Sequence, residues 1–382
     1  MSREHVVRIV KNHVLHRSLE IMSRSLEIGS NFWLTKEELK KLEPLVGRAY
    51  GLDKWEHCVL TSSGRGAIKL LYGQLPQVKR VLLPIYTCSS VINPIESLGI
   101  ACQFYPINRN LSVDIDKLMN MIAQHHPDSV YFQSYYGFDT LASVRPYYKE
   151  LQEKGIIVVE DITHSWLSDF NTTEADYSVV SLRKWLELPD GGALLSSKHE
   201  IYNGCKNEES KRIVEEFIMA SEGKERYFQT HDPADKQVFR QHYVNAKDLL
   251  QQDDTPYALS MVSQSVLAQT DFAHIVKRRR ENAAYLHQHL LCKGVDACLP
   301  FEDSLATPLY YPIYVKEDRG KLQKELAAHD IYCPVHWPIP KQVKMLMDID
   351  GEYIYDHVLS LICDQRYDVE DMAYIVDIIN KF

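Results

Sequence analysis

The stretch Ile156-Ile157-Val158-Val159-Glu160-Asp161-Ile162-Thr163-His164-Ser165 runs from four branched apolar residues into two carboxylates. An apolar run this short, rich in Ile and Val, predicts a strand buried in a parallel sheet. Working outward, similar runs recur at Cys58-Val59-Leu60-Thr61, Val81-Leu82-Leu83-Pro84 and Ser129-Val130-Tyr131-Phe132, and Ala193-Leu194-Leu195 follows a Gly-Gly turn. Helical patterns lie between them, from Ala67 to Gln74, Ser89 to Gly99, Ile115 to Gln124 and Pro146 to Lys154. Strand alternating with helix implies an α/β fold, a three-layer α/β/α domain around a mostly parallel sheet.

Past residue 196 the chain is polar and helix-prone to about 250, and Ala258 to Cys292 reads as one long helix. Alternation then resumes. A strand is expected over Leu309 to Val315, a helix from Gly320 to His329 and an extended run from Ile331 to His336. A last helix should start after Tyr367, with Asp368 as its N-cap and Asp371 in its first turn. The organisation expected is an N-terminal arm (1–30), a large α/β domain (31–250), and a connecting helix with a smaller α+β C-terminal domain (251–382). A length of 382 residues fits two domains.

Net charge is −9, which argues against a general nucleic-acid binder. The one dense basic run, Lys277-Arg278-Arg279-Arg280, continues into helix and reads as a solvated face. Eight scattered cysteines include no CxxC pair, so no metal site is expected and a reducing, cytoplasmic setting is. No apolar run is long enough to span a bilayer and no signal-type segment follows Met1-Ser2-Arg3-Glu4-His5.

Three stretches carry chemistry. In Thr61-Ser62-Ser63-Gly64-Arg65-Gly66-Ala67, glycines flank Arg65 between a strand and a helix, and free N–H groups at the helix start suit an anion. Taken singly, it also reads as a plain strand–turn–helix link. Asp161 stands at a strand's C-terminal end, where open α/β sheets bind ligands, and is placed to meet a cationic group. His164 nearby could stack on or hydrogen-bond a bound ring. A capping Asp and a structural His would read the same way. Lys184 lies in Ser181-Leu182-Arg183-Lys184-Trp185-Leu186, before Asp190-Gly191-Gly192. Apolar neighbours would lower its pKa and make its amine nucleophilic, although a lone lysine is more often solvated. The ordered set is more specific than its members: an anion turn, a strand-end carboxylate, and a lysine 23 positions later. Pyridoxal phosphate asks for these groups, for its phosphate, its pyridine nitrogen and its aldehyde.

From about Ile28 to Tyr374 the chain resembles the fold-type-I pyridoxal-phosphate enzymes, in particular the DegT/StrS-like sugar aminotransferase branch. Ile28-Gly29-Ser30-Asn31-Phe32-Trp33, Leu83-Pro84-Ile85-Tyr86-Thr87, Tyr135-Tyr136-Gly137, Glu160-Asp161-Ile162-Thr163-His164, Ser181-Leu182-Arg183-Lys184, Val335-His336-Trp337-Pro338 and Asp364-Gln365-Arg366-Tyr367 carry the likeness. The resemblance implies a transaminase whose cofactor, pyridoxal 5′-phosphate, forms a Schiff base with Lys184. It implies Asp161 at the pyridine nitrogen, His164 against the ring, and Gly64, Arg65 and Ser181 around the phosphate. Its substrates would be a small-molecule amino donor, glutamate, and a keto acceptor, a keto-sugar or sugar nucleotide. It also implies a homodimer with shared active sites.

Three positions depart from the branch. The phosphate turn reads Gly64-Arg65-Gly66. Cys88 stands where an aromatic commonly stacks on the cofactor, leaving Tyr86 as the nearest substitute. Pro256-Tyr257-Ala258-Leu259 replaces an Asn-Tyr-Arg-Met-like motif whose Asn reaches the neighbouring subunit's phosphate. A PLP enzyme of another reaction type, or a non-catalytic scaffold, is the alternative these departures raise. Arg183, Tyr310, Tyr311 and His336 are candidate acceptor contacts.

Overall fold

The computed structural model describes residues 27–42, 51–301 and 305–382; the arm expected over 1–30 lies outside them except for residues 27–30. Seven strands form the central sheet: β1 (His57–Thr61), β2 (Arg80–Pro84), β3 (Ala101–Tyr105), β4 (Ser129–Gln133), β5 (Ile157–Asp161), β6 (Tyr177–Val180) and β7 (Gly192–Ser196). Their order is β1-β7-β6-β5-β4-β2-β3. β7 pairs antiparallel with both its neighbours, and the other pairings are parallel. Every residue of β4 is buried, as expected of a strand covered on both faces. Helices Gly64–Gly73, Ser89–Glu96, Ile115–His125 and Tyr148–Glu153 pack against this sheet. The α/β class is therefore as the alternation predicts.

After β7 come a short pair, β8 (Lys206–Glu209) with β9 (Tyr257–Ala258), and between them two twenty-residue helices, Lys211–Thr230 and Pro233–Gln252. They fold back on each other through His231-Asp232. His231 takes a left-handed conformation at φ 57°, and Asp232 caps the second helix by accepting from the Ala234 N–H at 2.8 Å. The polar 196–250 region thus owes its order to packing between two amphipathic helices rather than to burial in the sheet.

The single long helix expected over 258–292 is two helices, Met261–Gln269 and Phe272–His289. Asp271 accepts from the His274 N–H at 3.0 Å. The Asx cap offers the backbone a new helix start, and the chain turns there rather than running on. The C-terminal sheet comprises β10 (Val295–Ala297), β11 (Tyr311–Val315) and β12 (Val358–Leu361), all antiparallel. The run expected to be extended over 331–336 contributes only a bridge from Ile331 to Ile28. Its place in the sheet is taken by β12, whose Ser360 N–H donates to the Pro334 carbonyl at 3.1 Å. The final helix, Val369–Lys381, starts as the sequence predicts: Asp368 and Asp371 form a reciprocal capping box.

Candidate active site

The C-terminal ends of β4, β5 and β6 lie side by side, with Asp161 in register with Gln133 and Val179. A cavity of about 600 Å³ opens over this edge. Gly64, Arg65, Asp161, His164, Ser181 and Lys184 all line it. The structure therefore brings together six of the seven residues singled out as cofactor or catalytic groups, from three separate segments.

Period-two alternation explains how β5 serves two purposes. Glu160 is fully buried and bonds Arg145 Nη2 at 3.0 Å and the Tyr148 hydroxyl at 3.2 Å. Asp161 faces the cavity instead. Burial pushes its carboxyl pKa up, against hydrogen bonds from Thr163 and the Tyr131 hydroxyl and against the charge of Lys184. The Thr163 N–H lies 2.8 Å from Oδ1 and the Tyr131 hydroxyl 2.9 Å from Oδ2. Those two donors fix the carboxylate's orientation.

Lys184 ends a one-turn 3₁₀ segment, Leu182–Lys184. The turn is held by Trp185, fully buried, whose indole N–H donates to the Thr163 carbonyl at 2.8 Å. Two chemistry-bearing segments, 161–164 and 181–185, are thereby locked in one register. Burial lowers the Lys184 pKa below its ordinary value; the neighbouring Cys88 and Asp161 oppose this, and Arg183 and Arg65 reinforce it.

Hydrogen bonding says which form of Lys184 fits. His164 Nδ1 lies 3.3 Å from the Tyr136 backbone N–H, so it accepts. A neutral imidazole accepting at Nδ1 carries its proton on Nε2. Nε2 lies 3.2 Å from Lys184 Nζ. The Nε2–H can donate only to an amine with a free lone pair, so the geometry matches neutral Lys184. Burial is the largest cause holding His164 well below its usual pKa, ahead of the repulsion it would feel from a protonated Lys184 or His336. The pair is a donor imidazole aimed at a nucleophilic amine.

At the opposite end, Ser63 caps helix Gly64–Gly73 by accepting from the Gly66 N–H at 3.0 Å. A Cβ on Gly64 would approach the Ser181 Cβ to 3.1 Å, so glycine lets this turn press against the lysine-bearing segment. Arg65 reaches the C-terminal end of helix Pro233–Gln252, donating from Nη1 to the Leu250 carbonyl at 2.6 Å.

Tyr86 is the residue not brought to the cavity. It is completely buried, with its hydroxyl 2.7 Å from that of Tyr136 and also donating to the His336 carbonyl. Its ring packs against Tyr135, Trp337 and Tyr355. Trp337 lines the cavity instead, its ring centroid 5.3 Å from that of His164 and 5.7 Å from Lys184 Nζ. In the sequence it stands in Val335-His336-Trp337-Pro338, one of the stretches that carry the family likeness, where no role of its own is read for it. Of the candidate acceptor contacts, Arg183, Tyr310 and His336 line the cavity. Tyr311 does not; it lies in β11 with its hydroxyl 2.9 Å from His287 Nδ1. Among the described residues, no group of His, Cys, Asp and Glu is arranged to hold a metal ion.

The donor set fits pyridoxal 5′-phosphate: a low-pKa amine, an oriented strand-end carboxylate, aromatic and imidazole faces beside both, and a cationic turn at a helix start. Sheet and donor set together define the architecture of the fold-type-I pyridoxal-phosphate enzymes. The sequence profile of the DegT/DnrJ/EryC1/StrS aminotransferase family matches residues 20–380, and the chain belongs to that family. Solved structures share the fold at low identity. Helicobacter pylori PseC, an aminotransferase of pseudoaminic acid biosynthesis, aligns with a TM-score of 0.67 at 14% identity, over 93% of this chain and 98% of its own. DesV of S. venezuelae gives 0.63 at 16%, over 99% and 95%. The aminotransferase TlmJ of Streptoalloteichus hindustanus gives 0.63 at 16%, over 87% and 88%. No curated protein is significantly similar to the chain in sequence.

Proposed function

We propose that the protein transfers an amino group from an amino acid, glutamate, to a keto-sugar or its nucleotide conjugate, with pyridoxal 5′-phosphate attached to Lys184. The observation that carries this is the 3.2 Å contact between His164 Nε2 and the Lys184 amine, in one cavity with Asp161. When bound, the cofactor supplies an electron sink for the α-carbon of the donor. Asp161 would hold the proton of the pyridine nitrogen, and its bonds from Tyr131 and Thr163 keep it aligned for that. Lys184 Nζ would serve as the base that removes the donor's α-proton and as the acid that returns it. Burial lowers its pKa, which favours the unprotonated amine this role needs. The Nε2–H of His164 steadies that amine, and Trp337 helps exclude water from it.

The acceptor would meet Arg183, Tyr310 and His336 on the cavity wall. Glutamate as donor, the sugar acceptor and a homodimeric assembly rest on family membership. So does the reading of 31–250 as the cofactor-holding domain and 251–382 as its smaller companion. Eight free cysteines suit a cytoplasmic setting; among the described residues no helix is long and apolar enough to cross a membrane. Nothing in the charge balance calls for a nucleic-acid partner.

The test is an absorbance scan of purified protein with added cofactor, with and without glutamate. Wild type should show the visible band of lysine-bound cofactor, lose it on adding glutamate, and release 2-oxoglutarate. Lys184→Ala should never show the band. An unchanged band in that variant would overturn the assignment of Lys184; a band in wild type that does not respond to any amino acid would overturn transamination.

A further inference from the structure

Arg65 and Arg183 both line the cavity, near enough for the charge of Arg65 to act on Arg183, and the carboxylates whose charge reaches them are Asp254 for Arg65 and Asp190 for Arg183. The carboxylates that act on them are committed elsewhere. Asp254 pairs with Lys69 and accepts from the Ser97 hydroxyl at 3.0 Å. Asp190 accepts from the Ser260 N–H at 3.1 Å and hydroxyl at 2.6 Å, and from the Ser263 hydroxyl. Burial, and after it the charge of Arg65, pulls Arg183 down to about 10. Two half-buried like charges, whose nearest carboxylates are bonded to other groups, are costly unless an anion joins them.

Beside Arg65 the cavity is roofed by the chain itself. Ala246, Lys247, Leu250 and Gln251, on helix Pro233–Gln252, line the cavity. A Cβ on Gly66 would meet the Pro256 Cα at 3.2 Å. The Ser62 N–H donates to the Tyr257 carbonyl at 2.9 Å. The Leu250 carbonyl is among the last four of its helix, which lack partners within the helix. Arg65 supplies one from Nη1, leaving its other donors for the cavity.

We infer that Arg65 and Arg183 are the charge partners of the cofactor phosphate, and that residues 246–257 of the same chain close over it. The inference rests on the proposed function and deepens it. Arg65 ties roof to anion: one arm holds the helix end and the rest of the guanidinium faces the phosphate. That accounts for arginine in the Gly64-Arg65-Gly66 turn. It also accounts for Pro256-Tyr257 pressing on that turn, where the family would place an Asn-bearing motif directed to the neighbouring subunit.

Pyridoxal, which has the aldehyde and ring but no phosphate, separates this from a purely structural role. Attachment of pyridoxal phosphate and of pyridoxal to Lys184 is titrated by absorbance in wild type, Arg183→Gln, Arg65→Gln and the charge-retaining Arg183→Lys. Each Gln variant should bind pyridoxal phosphate about tenfold to a hundredfold more weakly, the loss of a charged hydrogen bond. Pyridoxal binding should stay unchanged, which also reports an intact fold, and Arg183→Lys should fall between. Equal weakening for both compounds, or none for either, would overturn the assignment of the arginines while leaving Lys184 and the proposed function standing. Absence of the band in wild type with both compounds would remove the functional reading and the inference together. For the roof, amide exchange over 246–257 should slow with pyridoxal phosphate and not with pyridoxal; unaltered exchange there, with slowing at 63–66, would overturn it.

Discussion

Glu160 and Asp161 are adjacent in sequence, and the pleat sends them to opposite faces of β5. Glu160 is a fully buried charge held by Arg145 and Tyr148. Removing one member of such a pair strands the other in low dielectric, so Glu160→Ala should cost about 3 to 5 kcal/mol of stability. A lowered urea midpoint with the lysine-bound cofactor band retained in the folded fraction is the expected result. Asp161→Ala should do the reverse, because it removes a carboxylate whose burial already disfavours its charge: the midpoint should hold, and the band should no longer respond to glutamate. The strand-end position of Asp161 and its spacing to Lys184 were legible because both follow from local pattern. Tyr86 lies off the cavity and Trp337 on its wall because their placement depends on contacts across the fold. Tyr86 bonds a carbonyl 250 positions away, and the C-terminal segment that brings Trp337 over the cavity leaves no local signal at either residue. Arg183 was legible only as a wall residue; that Asp190, the carboxylate whose charge reaches it, is bonded to Ser260 and Ser263 is a property of the folded surroundings.

Among the elements, the best-read boundary is the last helix, whose capping box satisfies its first N–H groups from its own sequence. Asp368→Ala should cost about 1 kcal/mol, read as a lower midpoint for thermal unfolding. The break at residue 270 has the same physics but was hidden by continuous helix-forming sequence on both sides. Thr270 adds to it by donating its hydroxyl back to the Val266 carbonyl at 2.8 Å. Asp271→Ala should likewise cost about 1 kcal/mol, and slow-exchanging amides at the start of Phe272–His289 should be the ones that lose protection. β12 went unread because Val358-Leu359-Ser360-Leu361 follows helix Ile349–His357 directly, with no glycine or proline between them. Strands β1, β2, β4, β5 and β7 of the central sheet were easier, because each is a short apolar run set off by turns or helices, so period and punctuation agree.

At the scale of the whole molecule, residues 27–33 bind the sheet domain, the two-helix hairpin and the C-terminal sheet to one another. The Gly29 N–H donates to the Tyr367 hydroxyl at 2.8 Å, and the Tyr332 N–H donates to the Ile28 carbonyl at 2.7 Å. Arg366 stacks its guanidinium 4.0 Å from the Phe32 ring centroid and donates to the Ser30 carbonyl at 2.7 Å, while pairing with Asp364. From the hairpin side Lys224, fully buried, donates to the Ser30 hydroxyl at 2.5 Å and the Asn31 carbonyl at 2.6 Å. Ser30, Asn31 and Phe32 also line the cavity, so the strap that joins the parts is a wall of the site. Burial, and after it Arg366, brings the Lys224 pKa down to about 7, with Glu27 and Asp364 opposing and Lys236 reinforcing. Unfolded, the same lysine titrates near 10.5. Between those two values the unfolded chain holds a proton that the folded one does not, so this lysine makes stability rise with pH across that window. Below about 7 both states are protonated and its contribution is flat, at its least favourable. The contribution is complete above 10.5 and is lost as pH falls through the window. Lys224→Met removes the titration and leaves the other groups in place. The stability of wild type minus that of Lys224→Met, from urea unfolding at matched pH, should therefore increase steadily from pH 7 toward 10.5. A difference that is constant with pH would mean that Lys224 stays charged in the folded strap, its ammonium held by Ser30 and Asn31.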